Sequence, residues 1–159
     1  MQMGFNIPND AEKFALANTK KLTGLHGRWD VIAEQPAIVL DVAHNEDGIR
    51  QLLAQLSAIS DQFDNLHIVT GMVKDKDIDK ALSLLPKDAA YYFTNAHIPR
   101  ALAAADLQEK AKEHGLYGNH YDDVNKALEA AKQQARTNDL ILVCGSVFLA
   151  GEVAITGLS

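Results

Sequence analysis

Short apolar runs alternate with amphipathic stretches over most of this chain, and that alternation limits the folds open to it more than any other feature. Residues 37–41, 66–70, 89–94 and 139–144 read as strands, and 116–121 as a weaker one. Their side chains are nearly continuously apolar, as in strands buried on both faces. Between them lie segments with helical spacing. Over 46–60 the apolar set is Ile49, Leu52, Leu53, Leu56 and Ile59, and over 122–136 it is Val124, Ala127, Leu128 and Ala131. Helices are also expected over 78–85, stopped by Pro86, over 103–114, and over a short apolar piece at 147–154. A brief extended piece at 31–33 precedes a Gln35-Pro36 turn. Strands alternating with helices give an α/β fold: a mostly parallel, Rossmann-like sheet with helices on both faces.

The first residues stand apart from this rhythm. Asp10 can cap a helix over 11–22 that Thr23-Gly24 ends, but its apolar stripe is loose and has little nearby to bury it. It reads as a tail from a preceding domain, so the expected division is 1–24 and 25–159. A chain of 159 residues, 47% apolar and 23% charged, is ordinary globular material. Its net charge of −6 argues against nucleic acid or an anionic membrane as partner. Cys144, the single cysteine, lies inside an apolar run and reads as a buried reduced thiol. No apolar stretch nears the roughly 18 residues of a membrane span, and the N-terminus lacks a signal-peptide pattern. The expected location is cytoplasmic.

In a parallel sheet the loops after the strands share one edge, where ligands bind. The first such junction, Leu40-Asp41-Val42-Ala43-His44-Asn45, sets a carboxylate, an imidazole and a carboxamide between a strand and a helix. Asn45 could equally be a plain N-cap, with Glu46 and Asp47 complementing the helix dipole. The same edge should carry Gly71 with Lys74 and Lys76, Asn95 with His97 and Arg100, and Gly145 with Ser146. Each has an ordinary alternative: a solvated loop of cancelling charges for Lys74, and an N-cap for Ser146. Gly27-Arg28-Trp29 offers a close-approach glycine and a phosphate-binding fork, or else a surface arginine beside a packed tryptophan. The sequence contains no P-loop, no Gly-x-Gly-x-x-Gly fingerprint, no nucleophile elbow and no zinc spacing.

Taken in order, Thr23-Gly24-Leu25-x-Gly27-Arg28-Trp29, Leu40-Asp41-x-Ala43-His44-Asn45, Gly71-x-x-x-Asp75-Lys76-Asp77, Pro99-Arg100-Ala101 and Val143-x-Gly145-Ser146 resemble one family. They look like the C-terminal domain of folylpolyglutamate synthase/dihydrofolate synthase, within the Mur-ligase-like amide ligases. The resemblance implies ATP-dependent addition of L-glutamate to a folate or dihydropteroate through an acyl phosphate. It places the P-loop and the Mg2+ ligands in a central domain outside this chain, which alone should be inactive. By matching position, Arg28 is expected at the ATP phosphates, Asp41 at the ribose, and His44 and Asn45 near nucleotide and acyl phosphate. Arg28 and His44 are the candidates closest to the chemistry. Ser146 is expected to hold the glutamate carboxylate, with Lys74 and Lys76 on the same edge. The family often has glycine where Val42 stands. Two further readings are a non-enzymatic nucleotide- or amino-acid-binding module, and the C-terminal domain of a cell-wall Mur-type peptide ligase.

Overall fold

The computed structural model describes residues 29–74 and 77–153. Arg28, Lys76 and the expected helix over 11–22, and with it the proposed division near residue 25, lie outside those residues.

The sheet is built outward from its most apolar strand. Leu-Ile-Leu-Val-Cys forms β6 (Leu140–Cys144) and is buried along its whole length. It lies between β2 (Ala37–Leu40) and β3 (Leu66–Thr70), parallel to both. β4 (Ala90–Phe93) and β5 (Gly118–His120) continue the sheet in parallel beyond β3. β1 (Asp30–Glu34) closes the other side as an antiparallel hairpin partner of β2, giving the order β1-β2-β6-β3-β4-β5. The mostly parallel α/β sheet expected from the sequence is therefore present, with one antiparallel edge.

Side chains alternate between two layers, as the pleat requires. Leu140, Leu142 and Cys144 face one layer, with Ile49, Leu52, Leu82 and Leu107, while Ile141 and Val143 face the other, with Val124, Leu128 and Leu149. The first layer holds α1 (Glu46–Ala58), α2 (Ile78–Leu84) and α3 (Ala104–Lys112). The second holds α4 (Val124–Gln134) and α5 (Val147–Gly151). The division follows from the path of the chain. From β2 through β3 and β4 to β5 it moves one way across the sheet, and right-handed crossovers place those helices on a single face. α4 carries it back to β6, so it covers the opposite face. A 3-10 turn at Ser60–Gln62 ends the segment expected as helix over 46–60. Among the described residues no helix is long and apolar enough to cross a membrane.

Candidate functional site

β6 is followed by a helix on one face, and its neighbours β2 and β3 by helices on the other. Chain leaves in opposite directions on both sides of the β6 C-terminus, which opens a crevice there of the kind that holds ligands in α/β sheets.

The floor of this edge is bare backbone. Gly145 follows β6 with φ +119°, a conformation that side chains rarely adopt. A Cβ there would lie 2.3 Å from the Gly71 carbonyl oxygen, and one on Gly71 would lie 2.6 Å from that of Thr94. Glycine at both strand ends lets β6, β3 and β4 converge. The pairing of β2 with β6 also runs on past their ends, through Asp41 N to Val143 O and Gly145 N to Ala43 O, each 2.9 Å.

Asp41 is buried, and both carboxylate oxygens accept main-chain amides. Oδ2 takes the Trp29 N–H and Oδ1 the Ala43 N–H, each at 2.9 Å. The carboxylate thus fastens the residue that follows Arg28 to the end of β2. Trp29 has φ +49°, unusual for an aromatic residue. Burial, and then the Asp41 charge, push the Cys144 thiol up to about 12, so it stays protonated and inert below this floor.

His44 is half-buried, with Nδ1 2.9 Å from the Val42 carbonyl oxygen. A carbonyl only accepts, so Nδ1 carries a proton, and in the tautomer this selects Nε2 is the acceptor. Asn45 is the N-cap of α1, its Oδ1 accepting from the Gly48 amide at 2.8 Å. Ser146 caps α5, with Oγ accepting from the amides of Phe148 at 3.0 Å and Leu149 at 3.4 Å. Both residues fill the capping role that sequence allowed. A serine hydroxyl that accepts twice still has its O–H to donate.

Lys74 is exposed on the loop after β3. Its amide donates to Arg100 O at 2.7 Å, Leu102 N donates to Met72 O at 2.9 Å, and Val73 bridges Ala101, so the loops after β3 and β4 form one unit. Asn95 caps α3 through Oδ1 on the Ala104 amide at 3.1 Å. Asp41, His44, Asn45, Lys74 and Ser146 thus share the edge where they were expected.

Sequence reasoning gave Asp47 only a helix-dipole role and passed over Gln51. Together with Val42, His44, Asn45 and Gly48 they line a cavity of about 190 Å³ beside the first turns of α1. The signal was available, since positions 47, 48 and 51 fall on one helical face just beyond His44. A larger cavity, about 430 Å³, opens on the opposite edge of the sheet beside Asn65, His67, Asp88, Arg136 and Asp139. Its buried polar groups satisfy one another. His67 bonds Tyr92 Oη through Nδ1 at 2.9 Å and Asp139 Oδ2 through Nε2 at 3.0 Å, and Asp139 also takes the amides of Asn65 and Arg136. None of the candidate residues lies there, whereas His44 and Asn45 line the smaller cavity.

Residues 27–147 match the family described as Mur ligase, glutamate ligase domain. The dihydrofolate synthase/folylpolyglutamate synthase of Escherichia coli K12 is 33% identical over 123 residues, which is 77% of this chain and 28% of that protein. The E. coli FolC structure in complex with DHPP and ADP superposes with a TM-score of 0.70 at 32% identity, covering 78% of this chain and 29% of that one. A bifunctional folylpolyglutamate synthase/dihydrofolate synthase with Mn, AMPPNP and L-glutamate bound gives 0.69 at 34% identity, covering 80% and 30%. The chain therefore spans less than a third of the proteins it resembles here. It belongs to the Mur ligase glutamate ligase domain family.

Proposed function

We propose that this chain is the C-terminal part of an ATP-dependent ligase that joins L-glutamate to a folate or dihydropteroate. The observation that carries the reading is the placement of Asp41, His44, Asn45, Lys74 and Ser146 on the segments that follow β2, β3 and β6, along one edge of the sheet. Similar structures hold ADP, or AMPPNP with Mn and L-glutamate. The lack of a P-loop motif in this sequence fits a domain that completes a site whose phosphate cradle lies elsewhere.

The ligation activates a substrate carboxylate as an acyl phosphate, which the amine of L-glutamate attacks. Arg28 is assigned to the ATP phosphates, where its fork would stabilise charge on the transferring group. Asp41 fixes the Trp29 and Ala43 backbone, and ribose hydroxyls would share its carboxylate with those two amides. His44, with its Nδ1 proton held by the Val42 carbonyl, would offer Nε2 to a donor on the nucleotide, such as a ribose hydroxyl. Ser146 donates its O–H to the glutamate carboxylate, with Lys74 supplying positive charge on the same edge. As the resemblance implies, Mg2+ is assigned to ATP and to the central P-loop domain that the reading requires as partner.

The test joins this chain to a P-loop central domain and follows ADP release with ATP, Mg2+, L-glutamate and either dihydropteroate or tetrahydrofolate. Release that needs both glutamate and a pterin supports the proposal, and Ser146→Ala should then raise the KM for glutamate more than it lowers kcat. A folded, nucleotide-binding fusion that ignores every pterin but accepts a cell-wall precursor would reassign the acceptor.

A further inference from the structure

One histidine ties the loop after β4 to the end of α5. The His97 amide donates to Glu152 Oε2 at 2.7 Å. Its ring makes two more contacts: Nε2 lies 2.9 Å from the Asp122 carbonyl oxygen, and Nδ1 lies 3.2 Å from Glu152 Oε1. A main-chain carbonyl and an ionised carboxylate only accept hydrogen bonds, while a neutral imidazole has one N–H and one bare nitrogen. In the neutral ring one of these contacts sets lone pair against lone pair. The imidazolium satisfies both. Glu152 Oε1 sharpens the requirement, because it is buried and, among the described residues, has no other hydrogen-bond donor. The proton it lacks is the one Nδ1 would carry.

We propose that His97 and Glu152 form a proton-operated latch that holds the β4–α3 loop against α5 and releases it when the pair loses its proton. The end of α5 is itself anchored, since Asn125 Nδ2 donates to the Glu152 carbonyl at 2.9 Å. The other charged groups placed around the ring have their own roles. The Asp122 carboxylate pairs with Lys126 at 3.1 Å and also lies within reach of the His97 charge, Asp123 caps α4 through the Asn125 amide, and Arg100 lies further along the same loop. The loop's bonds to the Lys74 segment carry its position to the ligand edge. Only that last consequence rests on the ligase reading; the latch itself does not.

Hydrogen exchange on the 159-residue chain tests this at about pH 5.5 and about pH 8.5, on either side of the ordinary histidine range. After correction for intrinsic rates, the amides of Lys74, His97, Ala101 and Leu102 should lose about fivefold in protection at the higher pH. The change is modest because the ring is 58% exposed and screened by solvent. Glu152→Gln separates the latch from general pH effects. Its carboxamide can accept from the His97 amide and donate to a bare Nδ1 but has nothing to offer Nδ1–H, so the pH response should reverse, with the loop better protected at the higher pH. His97→Ala should leave it loose at both. Equal protection of the unmodified chain at the two pH values, or an unchanged pH response in Glu152→Gln, would overturn the proposal.

Discussion

The two oxygens of Asp41 join three stretches of chain: the end of β2, the turn toward α1 and the approach to β1. Replacing Asp41 with Asn puts an N–H donor where one oxygen now accepts, and leaves a buried amide, at Trp29 or Ala43, without an acceptor. The expected loss is about 1–3 kcal/mol, read as a lower urea midpoint in the fluorescence of Trp29, the only tryptophan in the chain. Asp139 makes a parallel case at the opposite edge. Burial alone would raise its pKa, but the Arg136 amide, His67 and Asn65 outweigh that and hold it below the usual carboxylate range. A carboxyl depressed in the folded state adds stability that is complete above its unfolded value and is lost as pH falls through the folded one. Urea midpoints should therefore drop on acidification below about pH 4, and Asp139→Asn should flatten that response while costing about 1.5–3 kcal/mol at neutral pH. What sequence shows at this scale is residue type and position, not occupancy. Asn45 and Ser146 were legible both as caps and as ligand groups, and both are caps.

At the scale of elements, glycine decides how closely the strands meet. Gly145→Ala combines a positive φ with a Cβ 2.3 Å from a neighbouring carbonyl oxygen. The backbone conformation alone costs about 1–3 kcal/mol, and the clash adds to it by pushing β6 away from Gly71. Thermal unfolding should show a clear fall in midpoint, whereas Gly151→Ala, which meets nothing within 4 Å, should show almost none. Local periodicity made the helices and central strands readable, because each must turn an apolar side to the sheet. Lateral order was not readable in the same way. That β6 lies between β2 and β3, and that Asp30–Glu34 pairs antiparallel with β2, depends on contacts between residues far apart in sequence. The same distance hides Glu152, which meets His97 only after the sheet has formed.

At the scale of the whole molecule, the sheet has two ends of different character. The strand C-termini meet in a crevice floored by glycine backbone, with Asp41, His44 and Ser146 at its margin and Lys74 on the adjoining loop. The strand N-termini surround a larger cavity whose buried histidine and aspartate are already paired. The position of the first edge was legible in the sequence, since parallel strands bring the loops that follow them together. The second was not, because its network joins His67 and Asp139 across 72 positions. Amide shift mapping of the 159-residue chain, titrated with Mg2+-ADP and then with L-glutamate, compares the two ends directly. The account expects the changes to cluster at His44, Gly48, Gly71, Gly145 and Ser146. Changes confined to Asn65, His67, Ala90 and Asp139 would place the ligand on the wrong edge of the sheet and contradict it.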